Sequence, residues 1–170
     1  MSVVNGCALL ELAPIVGMLD HKAKAHGVSY GLTEAGYDIR IKQAIRFTPE
    51  QPAYGGGYSR ATVRVDDRLA YGRFALVSAI EPFQMPNNLV GYVKDKSTWA
   101  RRGLSVFNTV IEPGWKGHLT IELVYHGQDE LIIPAGAGIA QALFHRTEEP
   151  AQYAGKYQGQ PDEPVPARES

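Results

Sequence analysis

The run from Lys96 to Glu122 packs three kinds of chemistry into 27 residues. Lys96-Ser97-Thr98-Trp99-Ala100-Arg101-Arg102 sets two hydroxyls among three cations, a composition suited to the oxygens of a polyphosphate. Glu112-Pro113-Gly114 marks a hairpin hinge. Glu122 then follows Leu119-Thr120-Ile121, and a carboxyl among aliphatic neighbours is suited to moving a proton.

These residues need elements to hold them. Leu119, Ile121, Leu123 and Tyr125 alternate with His118, Thr120, Glu122 and Val124, the period of a half-buried strand, so Glu122 points away from the apolar stripe. Burying a carboxylate there is costly unless it is paired or partly neutral. A glutamate on the wet face of an edge strand has the same pattern, and periodicity does not separate the two.

Ser97 to Arg102 reads as one helical turn, with Asp95 or Ser97 able to cap its start and Gly103 suited to a left-handed exit. Free N–H groups at such a start, together with Ser97, Lys96 and Arg101, make an anion cradle. An ordinary capped turn with solvated basic residues fits the same letters.

With 170 residues, 44% hydrophobic content and a net charge of −1, the chain is sized for one domain with a proper core. The balance of charge carries no nucleic-acid footprint, so any anion site must be a local cluster. Cys7 is the lone cysteine, which excludes an intramolecular disulfide framework and a multi-cysteine zinc site and points to a reducing compartment, the cytoplasm. Val3 to Leu19 is apolar but lacks a basic leader and is broken by Asn5, Glu11 and Pro14, so neither a signal peptide nor a membrane span is expected. Packed structure is expected there instead, a short strand and a helix running through Leu19 to Ala25.

Strand-like segments follow at Tyr37 to Ile41, Ala61 to Val65, Arg73 to Ala79, Leu89 to Val93, Leu104 to Ile111, Leu119 to Tyr125, Glu130 to Ile133 and Gly138 to Phe144. Turn signals such as Gly55-Gly56-Gly57, Pro86-Asn87-Asn88 and Pro134-Ala135-Gly136 separate them. Many short strands at this spacing indicate an all-β sandwich or barrel. Residues 148–160 form a polar segment carrying Tyr153, Lys156, Tyr157 and Gln160, and Pro161 to Ser170 are expected to be disordered.

Together these blocks resemble the deoxycytidine triphosphate deaminase family, which shares its fold with the trimeric dUTP diphosphatases. The family's phosphate turn is matched by Lys96 to Leu104, its Ile-Asp-Pro-Gly-Trp motif by Ile111-Glu112-Pro113-Gly114-Trp115, its catalytic strand by Thr120-Ile121-Glu122, and its tail motif by Lys156-Tyr157-Gln158-Gly159-Gln160. Four motifs in the right order, spread over roughly Gly31 to Gln160, are far more specific than any one of them.

The resemblance implies a distorted all-β barrel or jelly roll of the dUTPase type, with one short internal helix and a flexible C-terminal lid. It implies a homotrimer with interfacial active sites, acting on deoxynucleotide triphosphates and not on nucleic acid or membranes. Residues 1–160 would be the single deaminase domain. Glu122 would be the general base and acid, and Ser97 would hold the water or the leaving amine, assisted by a carbonyl of the Asn108 to Val110 segment. Arg101 would orient Glu122 or the phosphates. Lys96, Ser97, Thr98 and Arg101, with Trp99 and Ala100 in the same turn, would bind the triphosphate, and Mg²⁺ would ride on its oxygens. Glu112 would meet the 3′-hydroxyl, and Thr120, Ile121 and Gln141 would line the base pocket. Tyr153, Lys156 and Gln160 would close as a lid, and Trp115 would pack under the hairpin. No metal activates water in the family, in keeping with the lack here of the zinc deaminases' cysteine signature.

Three departures stand out. Glu112 replaces the family's usual Asp, the hinge before Trp115 is about two residues shorter, and Val110 stands where many relatives carry Arg. A less crowded pocket could then accept a 5-substituted cytosine. Ala35-Gly36-Tyr37-Asp38-Ile39 and Ile139-Ala140-Gln141 also resemble diphosphatase motifs, so a dUTP diphosphatase, or a bifunctional enzyme giving dUMP and pyrophosphate, is the alternative. A nucleotide sensor on the same scaffold would have no use for both Ser97 and Glu122.

Overall fold

The computed structural model describes residues 2–107 and 109–169. Along the chain come α1 (Gly6–Leu12), β1 (Lys22–Ala25), β2 (Val28–Leu32), β3 (Tyr37–Arg40), β4 (Ile45–Thr48), β5 (Thr62–Val65), β6 (Arg68–Tyr71), β7 (Phe74–Gln84) and β8 (Leu89–Asp95). Then follow α2 (Ser97–Ala100), β9 (Leu104–Val106), β10 (Val110–Ile111), β11 (Lys116–Tyr125), β12 (Leu131–Ile133) and β13 (Gly138–Arg146). The strands form three sheets, ordered β1-β2-β3-β13-β8-β10, β7-β11-β9 and β12-β4-β5-β6. All these pairings are antiparallel.

Buried side chains of all three sheets meet in one apolar cluster, with Ile39 and Phe144 from the first, Val77 and Leu123 from the second and Phe47 from the third. β13 runs through the middle of its sheet between β3 and β8, and it alternates Ala140, Ala142 and Phe144, fully buried, with half-buried residues. No helix among the described residues is long and apolar enough to cross a membrane.

The N-terminal expectation is corrected. Leu19 to Ala25 holds no helix: Lys22 to Ala25 pairs with β2 as a hairpin, Ala25 opposite Val28. Its two-residue turn is His26-Gly27, both at positive φ (51° and 77°), a backbone whose twist matches paired strands. That closure, and the period-two alternation of Lys and Ala, override the helix propensity of those letters. The helix is α1 instead. It buries Leu9 and ends on Ala13 at φ 44°, whose N–H bonds the Leu9 carbonyl just before Pro14 stops it.

Leu104 to Ile111 is likewise two strands rather than one. β9 pairs with β11, whereas β10 pairs with β8 in the other sheet, so the chain changes sheets at this point. The strands β2, β4 and β6 complete the sheets without having been expected from the sequence.

Candidate functional site

β11 is the central strand of its sheet, with β7 on one side and β9 on the other, so Glu122 is not on an edge strand. Between His118 and Thr120 the ladder to β7 shifts register, and Leu119, Thr120 and Ile121 are buried in succession where strict alternation was expected. Such a bulge re-aims side chains next to it. Beyond it alternation resumes, with Ile121, Leu123 and Tyr125 inward and Glu122 and Val124 half-buried on the other face.

That face looks into a cavity of about 500 Å³. Glu122 lines it together with the apolar side chains of Leu76, Ile111 and Leu119. Its Oε2 is buried without a hydrogen-bond partner among the described residues. Burial pushes the carboxyl above the ordinary glutamate range, against a smaller opposing effect from a backbone hydrogen bond. A carboxyl raised in this way is poised to take up and release a proton nearer neutrality.

The hinge brings a second acid to the same cavity. Glu112-Pro113-Gly114-Trp115 is a turn in which the Trp115 N–H donates to the Glu112 carbonyl at 3.1 Å, with Gly114 at φ 74°. Proline second and a left-handed glycine third are the residues such a turn demands. Glu112 is left exposed at the cavity rim. Trp115 packs against Phe83 as expected, and its indole N–H also donates to the Tyr157 carbonyl at 2.7 Å, tying the tail to the hairpin.

The basic turn lies elsewhere on the chain's surface. α2 begins after Lys96 in extended conformation with no side-chain cap; Asp95, an expected cap, instead accepts from the Val106 N–H at 2.7 Å. Gly103 provides the left-handed exit at φ 89°. Ser97, Thr98, Ala100 and Arg101 are exposed, whereas Trp99 is buried and donates its indole N–H to the Gly138 carbonyl at 2.6 Å. Lys96 is also withdrawn: its ammonium is paired with the buried Asp38 carboxylate and bonds Ser29 at 2.9 Å. Within one chain, none of residues 96–101 lines the cavity of Glu122.

The tail does reach it. Gln160 bridges Gly117 in parallel, and its carbonyl accepts from the His118 N–H at 3.1 Å. Tyr153, Tyr157 and Gln160 line the cavity, while Lys156 turns outward to the Arg168 carbonyl and the Tyr157 ring. Residues 162–168, expected to be disordered, make defined contacts: Asp162 pairs with Lys42 and His118, and the Val165 N–H donates to Thr120 Oγ1 at 2.9 Å. Val165 and Ala167 join the cavity lining.

Of the residues singled out from sequence, Glu112, Thr120, Glu122, Tyr153 and Gln160 are therefore gathered at one cavity. Ile121 is core, and Gln141 donates to Thr33 Oγ1 at 2.9 Å away from that lining. Asn108 lies outside the described residues, and the Thr109 carbonyl accepts from the Val93 N–H. Leu76, Val165 and Ala167 were not singled out from sequence, and Tyr157, part of the tail motif, was given no role in the site. The alternation of β7 carried a signal for Leu76; nothing local carried one for Val165 and Ala167. Among the described residues, no group of three or more His, Cys, Asp or Glu side chains is placed to hold a metal ion.

A family model described as dCTP deaminase-like matches residues 20–147. The chain belongs to the dCTP deaminase-like family. Its curated relatives include a protein named dCTP deaminase from Chloroflexus aurantiacus, 36% identical, with 89% of this chain and 88% of that one covered. Among solved structures, the chain is similar to 2′-deoxycytidine 5′-triphosphate deaminase from Agrobacterium tumefaciens, with a TM-score of 0.57, 10% identity and coverage of 89% of this chain and 51% of that one. It is also similar to a variant of the dUTPase of Staphylococcus bacteriophage 80alpha with dUpNHpp, with a TM-score of 0.51, 16% identity and coverage of 80% and 88%. These likenesses establish the fold that dCTP deaminases share with dUTPases. The dCTP deaminase-like match includes the basic turn, the hinge and Glu122 but ends before the tail, whose part in the site rests on the contacts given above.

Proposed function

We propose that this protein deaminates dCTP to dUTP and ammonia without a metal-activated water, with Glu122 as the proton shuttle. The observation that carries the reading is the Glu122 carboxyl, half-buried on the wall of the cavity with an unpartnered Oε2. Water adds to C4 of the cytosine, giving one proton to Glu122, which passes it to N3. A second transfer from the hydroxyl through Glu122 to the amine lets ammonia leave as the C4 carbonyl forms. Both protons of the water end in products, one on N3 of the uracil and one on ammonia, so the carboxylate is regenerated.

A second copy of the chain would complete the site, in a homotrimer. One chain leaves Glu122 Oε2 without a donor among the described residues and leaves Ser97, Thr98 and Arg101 exposed away from it, and a partner's turn would supply the water's ligand and the phosphate contacts. Lys96 would act by holding that turn through Asp38. Mg²⁺ would come with the triphosphate, on its oxygens. The apolar Val110 and Leu76 on the cavity wall favour a cytosine carrying a small 5-substituent; turnover of 5-methyl-dCTP equal to or below that of dCTP would remove this refinement.

Glu112 in the same cavity favours one second reading, a dUTP diphosphatase step in which it activates water at the α-phosphate. Incubation with Mg²⁺ and, separately, dCTP, 5-methyl-dCTP and dUTP, with ammonia assayed and products resolved by ion exchange, tests both. Ammonia with dUTP supports the simple deaminase, and ammonia with dUMP and pyrophosphate the bifunctional form. Pyrophosphate from dUTP without ammonia overturns the role of Glu122.

A further inference from the structure

Beyond Gln160, where the tail motif ends, the chain runs along the Glu122 cavity, adding Val165 and Ala167 to its lining, and is fastened at both ends. Asp162 makes the first fastening: its carboxylate lies 2.5 Å from Lys42 Nζ and 3.1 Å from His118 Nδ1, and its carbonyl accepts from the same lysine at 2.7 Å. Arg168 makes the other, its N–H donating to the Tyr157 hydroxyl at 3.2 Å and its guanidinium to the Lys156 carbonyl at 2.6 Å. Midway, the Val165 N–H donates to Thr120.

We propose that Asp162 is a positioning residue whose clasp on Lys42 and His118 holds residues 161–168 as a roof over the substrate cavity. This rests on the deaminase reading of that cavity. Val165 and Ala167 form the roof's inner face, on the same lining as Glu122. The segment roofs the site rather than plugging it, because about 500 Å³ remains beneath it, within the range of pockets that hold small ligands. A roof of this kind excludes water from a proton shuttle and adds apolar wall against the bound base.

The roof also bears on the state of Glu122. Glu112, Tyr153 and Tyr157 are the titratable groups that share the cavity with it, while β7 presents Leu76 and β10 presents Val110 and Ile111. No cation lines the cavity among the described residues, so desolvation governs the carboxyl, and loosening the roof lets water lower its proton affinity.

The test uses full-length Asp162→Asn and Asp162→Glu. We expect Asp162→Asn to speed exchange of the Val165 amide in the nucleotide-free protein and to raise KM for dCTP about three- to fivefold, the weight of a partly exposed ion pair. It should also move the acid limb of the kcat/KM profile to lower pH, and Asp162→Glu should restore all three. An Asp162→Asn protein with Val165 protection and KM unchanged would overturn the clasp. Faster exchange accompanied by a lower KM would overturn the roof in favour of a plug. If the wild-type protein releases no ammonia from dCTP while the exchange difference persists, the roof stands and the deaminase reading falls.

Discussion

Leu76 stands directly opposite Glu122 across the β7–β11 ladder. Side chains of such a pair share one face of the sheet about 5 Å apart. A position from which an arginine or lysine of the same chain could neutralise the carboxylate is filled by hydrocarbon, in keeping with burial as the cause that raises its proton affinity.

Glu122→Gln should abolish ammonia release while leaving nucleotide binding intact. It should also change stability with a defined sign. The folded carboxyl holds its proton more tightly than the unfolded one, so ionising it costs the fold. That cost is absent below the unfolded value near 4.5 and complete once the pH has passed the folded value. Against wild type, the Gln variant should therefore be relatively more stable at pH 8 than at pH 4. Denaturant titrations at the two values measure it, and a difference independent of pH would show that Glu122 ionises as freely folded as unfolded.

Leu76→Gln offers the ionised Glu122 a hydrogen-bond donor and should lower its proton affinity. The acid limb of kcat/KM, where the base becomes protonated, should shift to lower pH with it. An unmoved limb assigns that titration to another group.

The Lys96–Asp38 pair is buried, with side-chain exposures of 10% and 4%. Lys96→Met strands a buried carboxylate and should cost about 3–5 kcal/mol, most of which a second change, Asp38→Asn, should restore. Equilibrium unfolding of the single and double variants reads this directly. If Lys96→Met leaves stability intact and only raises KM, the lysine serves the phosphates and not the turn.

Gly117 sits at φ 138°, and a Cβ there would come within 2.6 Å of the Gln160 backbone nitrogen. Gly117→Ala should push the tail off β11, raising KM and exposing Tyr157 to proteolysis, at a local strain cost of about 1–3 kcal/mol. Wild-type protease resistance of the tail in this variant would contradict the parallel contact between Gly117 and Gln160.

Much of the site was legible in the letters. Alternation placed Glu122 opposite the apolar stripe, and Pro113-Gly114 announced the hinge, because both are local properties of the backbone. The bulge at Leu119 was not legible, since it depends on what β7 presents opposite. Nor was the hairpin at His26-Gly27, where Lys and Ala favour helix until a turn and a partner strand outweigh them. The contacts of the tail were not legible for a related reason. Pro161 to Glu169 is polar and proline-rich, and its contacts are with Lys42, His118, Thr120 and Tyr157, all outside the segment and most of them distant in sequence.

The roof follows directly on Gln160, which is itself paired to Gly117 of the strand it covers, so its docking is an intramolecular event. A segment tethered by a short stretch of chain meets its site at an effective concentration on the order of millimolar. Contacts as weak as the Asp162 clasp can then keep the cavity covered at any dilution of the protein. The same residues supplied as a free peptide to a shortened chain would have to approach millimolar levels to do as much.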